Sequence, residues 1–203
     1  ISACLVGSEM CIRDRRNGDS RAAERHGYRH SFDMLGEAAR SAADAARYHA
    51  AYRHAIAAIG KAAAGRPLAE APGISVKLSA LHPRYEMAQR ERVGGELLPA
   101  LTALAQQARA AGIGFTIDAE EADRLELSLD IIEALALAAE LAGWDGLGLA
   151  VQAYQKRALP VIDWLADLAR RGGRRLMVRL VKGAYWDSEI KRTQERGLDS
   201  YPV

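Results

Sequence analysis

The chain has 203 residues, which at roughly 150 residues per domain is room for one domain and part of another. Hydrophobic residues make up 49% and charged residues 27%, the balance of a chain that folds around a core rather than staying disordered. With 28 basic residues against 26 acidic ones, nothing in the charge balance points to a nucleic-acid or membrane-surface partner, and no apolar run approaches the roughly 18 residues of a membrane span.

Residues 1–27 are polar, rich in Arg and Gly and without period, so they read as loop or terminus. Cys4 and Cys11 are the only cysteines. They make no disulfide framework and no Cys/His cluster follows at ligand spacing, so no metal and a reducing compartment are expected. No basic stretch leads into an apolar one at the start, so no signal peptide is read there. The start at Ile1 and the end at Tyr201, Pro202 and Val203 lead us to expect a piece of a longer protein.

Alternation of Tyr28, His30, Phe32 and Met34 predicts a first strand over 28–35. Ser41 to Asp44 form a capping box, and an Ala-rich helix follows through Tyr48, Tyr52, Ile56 and Ile59, ahead of Gly60 and Gly65. Ile74 to Leu78 is a short apolar run closed by His82 and Pro83, too short for a helix and so a buried strand. A long helical stretch then reaches Gly112, with Pro99 starting or kinking its second part. Further short strands are predicted at Ile113–Ile117, ending in Asp118; at Leu147–Val151, ending in Gln152; and at Leu176–Val181, ending in Lys182 and Gly183. The helices between and after them cover Ser128–Leu141, a segment with Pro160 early and Arg171 late, and Trp186–Arg196.

Short apolar strands alternating with helices predict an α/β fold with a parallel sheet, either an open doubly wound sheet or a barrel. No G-x-G-x-x-G fingerprint follows any strand, and the Gly146–Leu149 segment lies inside one, which removes the main support for a dinucleotide site. Each strand instead carries a polar residue in it or at its end: Asp33, Lys77, Asp118, Gln152, and Arg179 with Lys182. In a closed barrel such groups converge on one mouth, where barrel enzymes hold their sites.

Blander readings stand beside this one. Lys77 and Arg179 can point outward with buried stems, Asp118 can cap a helix, and Gln152 can be a satisfied edge amide. Tyr185 and Trp186 read more often as packing residues, and Glu120, Glu121 and Asp123 as an acidic first turn that suits the helix dipole. The histidines at 26, 30, 49 and 54 read as surface, whereas His82 lies near the proposed mouth. A lysine on a barrel strand suits two chemistries: Schiff-base formation, which needs a neutral amine, or electrostatic holding of a carboxylate while a cofactor does the redox step.

The segments SFDMLGEAA, GISVKLSALHPRYE, TIDAEEADRLELSLD, VQAYQKR and RLVKGAYWDSEIKR resemble the proline dehydrogenase domain of the bacterial bifunctional proline utilisation flavoproteins, in order over about residues 20–203. The resemblance implies a distorted (β/α)8 TIM-type barrel, of which about five of eight strands are present, holding FAD. It implies oxidation of L-proline to Δ1-pyrroline-5-carboxylate by hydride transfer to the flavin, electrons passing on to a membrane quinone. A cytoplasmic location with peripheral membrane association, and a homo-oligomeric parent, come with it.

Carried onto these residues, the resemblance implies that Lys77 pairs with the proline carboxylate, that Asp118 lines the pocket, and that Arg179 and Gln152 contact the flavin ring system. Val181, Lys182, Gly183 and Trp186 would form part of the FAD cradle. Leu35 and Tyr185 would shape the walls around proline, with Asp33 and Glu37 at the first strand and its exit. Residues 1 to about 14 do not match the family, so 1–19 are expected to be a disordered leader and 20–203 the first part of the barrel. The last three strands and the arginines that complete the carboxylate clamp are expected beyond Val203, which predicts an inactive fragment. The rival readings are a Schiff-base aldolase on the same barrel and a non-catalytic half-barrel serving as an interaction module.

Overall fold

Six parallel strands lie side by side in the order of the chain: β1 (Ala3–Leu5), β2 (Ser31–Met34), β3 (Gly73–Val76), β4 (Gly114–Ile117), β5 (Leu147–Gln152) and β6 (Met177–Val181). This computed structural model describes residues 23–34, 38–63 and 65–203, and the backbone alone of 3–5. A doubly wound sheet reverses its strand order at a switch point, whereas a sheet that winds toward closure adds each strand beside the last. The sequential order is therefore that of a TIM-type barrel, and the five expected strands are β2 to β6. Ala3–Leu5, expected to lack regular structure, pairs with Phe32, Asp33 and Met34 as a further edge strand. The rest of 1–19 lies outside the described residues.

The helices are α1 (Ala42–Ala63), α2 (Leu78–Leu81), α3 (Arg90–Ala110), α4 (Leu125–Leu137), α5 (Ala158–Arg171) and α6 (Trp186–Glu195). Ser41 and Asp44 cap α1 reciprocally: the Asp44 N–H donates to Ser41 Oγ and the Ser41 N–H to Asp44 Oδ2, both at 3.1 Å. Helix α1 runs on through Gly60 instead of stopping before it. A Cβ there would meet the Ala111 Cβ at 2.7 Å, so the glycine is what lets α1 lie against the end of α3.

Leu78, expected to end the strand, instead opens α2, which stops where Pro83 holds His82 extended (φ −149°, ψ 123°). The helical stretch expected after Pro83 begins with a 3-10 turn at Met87–Gln89 and continues as α3, which runs through Pro99 instead of starting there. Val93, Leu97, Leu101, Leu104 and Ala108 form the stripe that α3 buries against the sheet. Strand β5 is buried on both faces, as a central parallel strand must be. Gly148 in it faces the Met177 carbonyl at 2.4 Å from where a Cβ would stand, so the GLGL segment serves strand packing and not phosphate binding. Among the described residues no helix is long and apolar enough to cross a membrane.

Candidate functional site

Period-two alternation decides what the strands deliver to the mouth. In β2 it puts Ser31 and Asp33 on one face, in β3 Ser75 with Lys77 beyond its end, in β4 Thr116 with Asp118, and in β6 Arg179. Parallel neighbours in register bring these side chains together. Lys77 Nζ donates to Asp33 Oδ2 at 2.9 Å and to Asp118 Oδ2 at 3.1 Å. The other Asp118 oxygen accepts from Arg179, whose second terminal nitrogen reaches Ser75 Oγ at 3.2 Å, and Ser75 Oγ lies 3.1 Å from Ser31 Oγ.

Asp118 is buried, while Lys77, Asp33 and Arg179 are partly covered, so these charges have lost much of their water and depend on one another. Burial pushes the Asp33 carboxyl above its ordinary value, the Asp118 charge adds to the push, and Lys77 pulls the other way. The outward-pointing reading of Lys77 and Arg179 is thereby excluded. Asp118 binds cations and caps no helix.

Gln152 is buried at the end of β5. Its amide N–H donates to the Glu120 carbonyl at 2.8 Å and its oxygen accepts from the Ala184 N–H at 3.2 Å, which leaves one N–H and one lone pair for a ligand. Glu120, expected as a helix-dipole residue, is buried too. Its carboxylate accepts the Ser79 N–H at 3.0 Å and Arg124 at 2.7 Å, so it ties the exits of β3 and β4 together. In the turn after β6 the Val181 and Lys182 carbonyls accept from Ala153 and Tyr154, and the Tyr185 N–H donates to Tyr154 Oη at 3.2 Å.

Burial, then the Glu120 charge, holds the Tyr185 phenol above its usual range, so it stays a neutral wall. Trp186 is about half exposed and lies 5.7 Å from the Tyr154 ring. Lys77, Tyr185, Glu120 and His82 line one cavity of about 290 Å³. His82 accepts the Arg84 N–H on Nδ1, so Nε2 carries the proton that goes to Glu96 at 3.1 Å.

Two contributors carry little sequence signal. Tyr52 on α1 accepts the Lys77 N–H at 3.2 Å, and Glu189 on α6 accepts the Ala122 N–H at 2.6 Å. Ser31 and Ser75 were legible in principle, each two residues before a charged residue on the same face. Leu35 and Glu37 lie outside the described residues.

The residues fit a flavin by their donor set. Arg179 Nε is buried with no acceptor among the described residues, Gln152 keeps one N–H to spare, Lys182 is exposed, and Trp186 offers an aromatic face.

A family model described as proline dehydrogenase matches residues 17–203. The chain is 62% identical over 185 residues to the bifunctional protein PutA of Salmonella typhimurium and 61% identical to that of Escherichia coli, matches that take in 91% of this chain. It spans only 14% of the length of those relatives. A crystal structure of a bifunctional proline utilization A protein superposes with a TM-score of 0.84 at 66% identity, over 86% of this chain and 18% of that one. The Bdellovibrio bacteriovorus protein, at 26% identity, gives a TM-score of 0.82 over 90% of this chain and 20% of its own.

Proposed function

Because the chain belongs to the proline dehydrogenase family, we propose that its strand mouths hold L-proline for oxidation to Δ1-pyrroline-5-carboxylate in the protein that carries it. The observation that supports this most directly is Lys77, fixed between Asp33 and Asp118 where a substrate carboxylate can exchange for one of them. FAD, when bound, supplies the two-electron acceptor. Arg179, Gln152, Val181, Lys182, Gly183 and Trp186 would hold it, and Arg179, with Nε to spare, would favour negative charge on that side of the pocket.

Within that arrangement Lys77 orients proline by its carboxylate, Asp118 keeps Lys77 and Arg179 in place, and Tyr185 forms part of the wall. A membrane quinone as final acceptor, a cytoplasmic location and peripheral membrane association belong to the same reading. Schiff-base chemistry is less well supported: an attacking amine must be neutral, and Lys77 donates to two carboxylates.

Lys77→Met tests the assignment. It should lower kcat/KM for L-proline at least about 30-fold, the equivalent of ~2 kcal/mol for a truncated charge pair, mostly through KM. Pyrrolidine, the same ring without the carboxylate, should lose nothing from the substitution. An equal loss with both compounds would assign Lys77 to structure instead.

A further inference from the structure

The backbone ladder that aligns β3 with β4 stops just short of Lys77. Among the described residues its last bond runs from the Asp118 N–H to the Val76 carbonyl, at 2.9 Å. Lys77 turns its own N–H away, to Tyr52 of α1, so from there on no backbone pairing fixes the exit of β3 against that of β4. Two residues further along each exit a side chain takes over. Glu120 Oε1 accepts the Ser79 N–H at 3.0 Å, and Oε2 accepts from Arg124 at 2.7 Å, which sets the orientation of the carboxylate. Glu120 and Ser79 are both buried, where an unbonded polar group would be costly.

The same pair gathers the neighbouring exits. The Ser79 carbonyl accepts the N–H of Ala39, which follows β2, at 2.9 Å, and the Glu120 carbonyl accepts from Gln152 at the end of β5 at 2.8 Å. The exits of β2, β3, β4 and β5 therefore meet on one bond between a side chain and a backbone amide.

We propose that Glu120 is a positioning residue for the substrate anchor: its bond to Ser79 holds the exits of β3 and β4 at the separation at which Lys77 reaches Asp118 and presents its ammonium to a substrate carboxylate. The inference rests on the carboxylate-holding role given to Lys77 above. Lys77 Nζ lies 3.1 Å from Asp118, so a drift of about 1 Å between the two exits takes that bond out of range. Both Glu120 oxygens are engaged by this chain's own donors, and the residue acts on the substrate through Lys77.

The test uses the intact protein that carries this chain. Glu120→Ala should raise KM for L-proline about tenfold while kcat stays within about threefold of wild type. Glu120→Gln keeps an oxygen for the Ser79 N–H, and should hold KM within about threefold of wild type. The deciding measurement is a cycle with Lys77→Met. Once that substitution is in place, Glu120→Ala should lower kcat/KM by no more than about a further twofold, because the residue through which it acts is gone.

Losses that multiply in the double variant would overturn the proposal while leaving Lys77 as the anchor, and so would a loss carried by kcat, an unchanged KM in Glu120→Ala, or a Glu120→Gln as impaired as Glu120→Ala. Failure of both Glu120 variants to give folded protein would assign the residue to stability and overturn the proposal as well. An unchanged kcat/KM in Lys77→Met would overturn the anchor itself, and the proposal with it.

Discussion

At Gly183 the backbone turns with φ at +131°, and a Cβ built there would stand 2.0 Å from Cε1 of Tyr154. Either fact alone disfavours every L side chain, through strain in one case and overlap in the other. Tyr154 has its own task, since its hydroxyl accepts the Tyr185 N–H, so it cannot simply swing away. Gly183→Ala should therefore cost about 2–4 kcal/mol, read as a lower denaturant midpoint at unchanged slope. Adding Tyr154→Ala should relieve the overlap and recover only part of the loss, because the backbone strain stays. Full recovery, or no loss in the single variant, would show that the turn relaxes at no cost.

Two elements meet at Gly60, and there intrinsic preference and packing oppose each other. Ala favours a helix over Gly by about 1 kcal/mol, yet a Cβ at this point of α1 would lie 2.7 Å from the Ala111 Cβ at the end of α3. The overlap should win, so that Gly60→Ala destabilises by about 1 kcal/mol or more, and Ala111→Gly in the same chain should expose the helix gain. At the other end of α1, Ser41→Ala should cost about 1 kcal/mol of stability. The Ser41 hydroxyl also donates to the Asp44 carboxylate and holds it below its ordinary value, so this second bond contributes fully above the ordinary carboxylate value and is lost as pH falls through the lowered one, while the Asp44 N–H bond to Ser41 Oγ persists. The gap between the melting temperatures of wild type and Ser41→Ala should accordingly narrow in acid without closing.

Elements with a local cause were legible in the sequence: the capping box, the apolar runs of β3, β4 and β5, and the polar residues ending the strands. What was not legible has its cause far along the chain. Glu120 looks like a first-turn acid, and only the Ser79 backbone, 41 residues earlier, and Gln152, 32 residues later, make its surroundings those of a buried tie. Tyr52 is one aromatic in an Ala-rich helix until β3 comes to lie beneath it.

Over the whole molecule the sheet is bounded by two edges, β1 and β6. On β6, Val178 is 47% and Leu180 62% exposed, beside a row of backbone groups with no further strand among the described residues. Such an apolar edge templates pairing with another chain. The 203-residue chain expressed by itself should associate in a concentration-dependent way, and Leu180→Lys should shift it toward monomer. Size-exclusion chromatography with light scattering would decide this, and a monodisperse wild-type monomer would count against it.

The sequential strand order also fixes a timetable. Each strand can dock on the one before it as soon as it leaves the ribosome, with no wait for a later segment to fill a gap. Growth in that order brings Asp33, Lys77 and Asp118 together when β4 docks, with Lys77 shared between the two carboxylates. Arg179 arrives 61 residues after Asp118 and supplies that carboxylate's second cation. Asp118 thus waits for this partner through the addition of β5, and β6 is drawn to its place by charge as well as by backbone pairing.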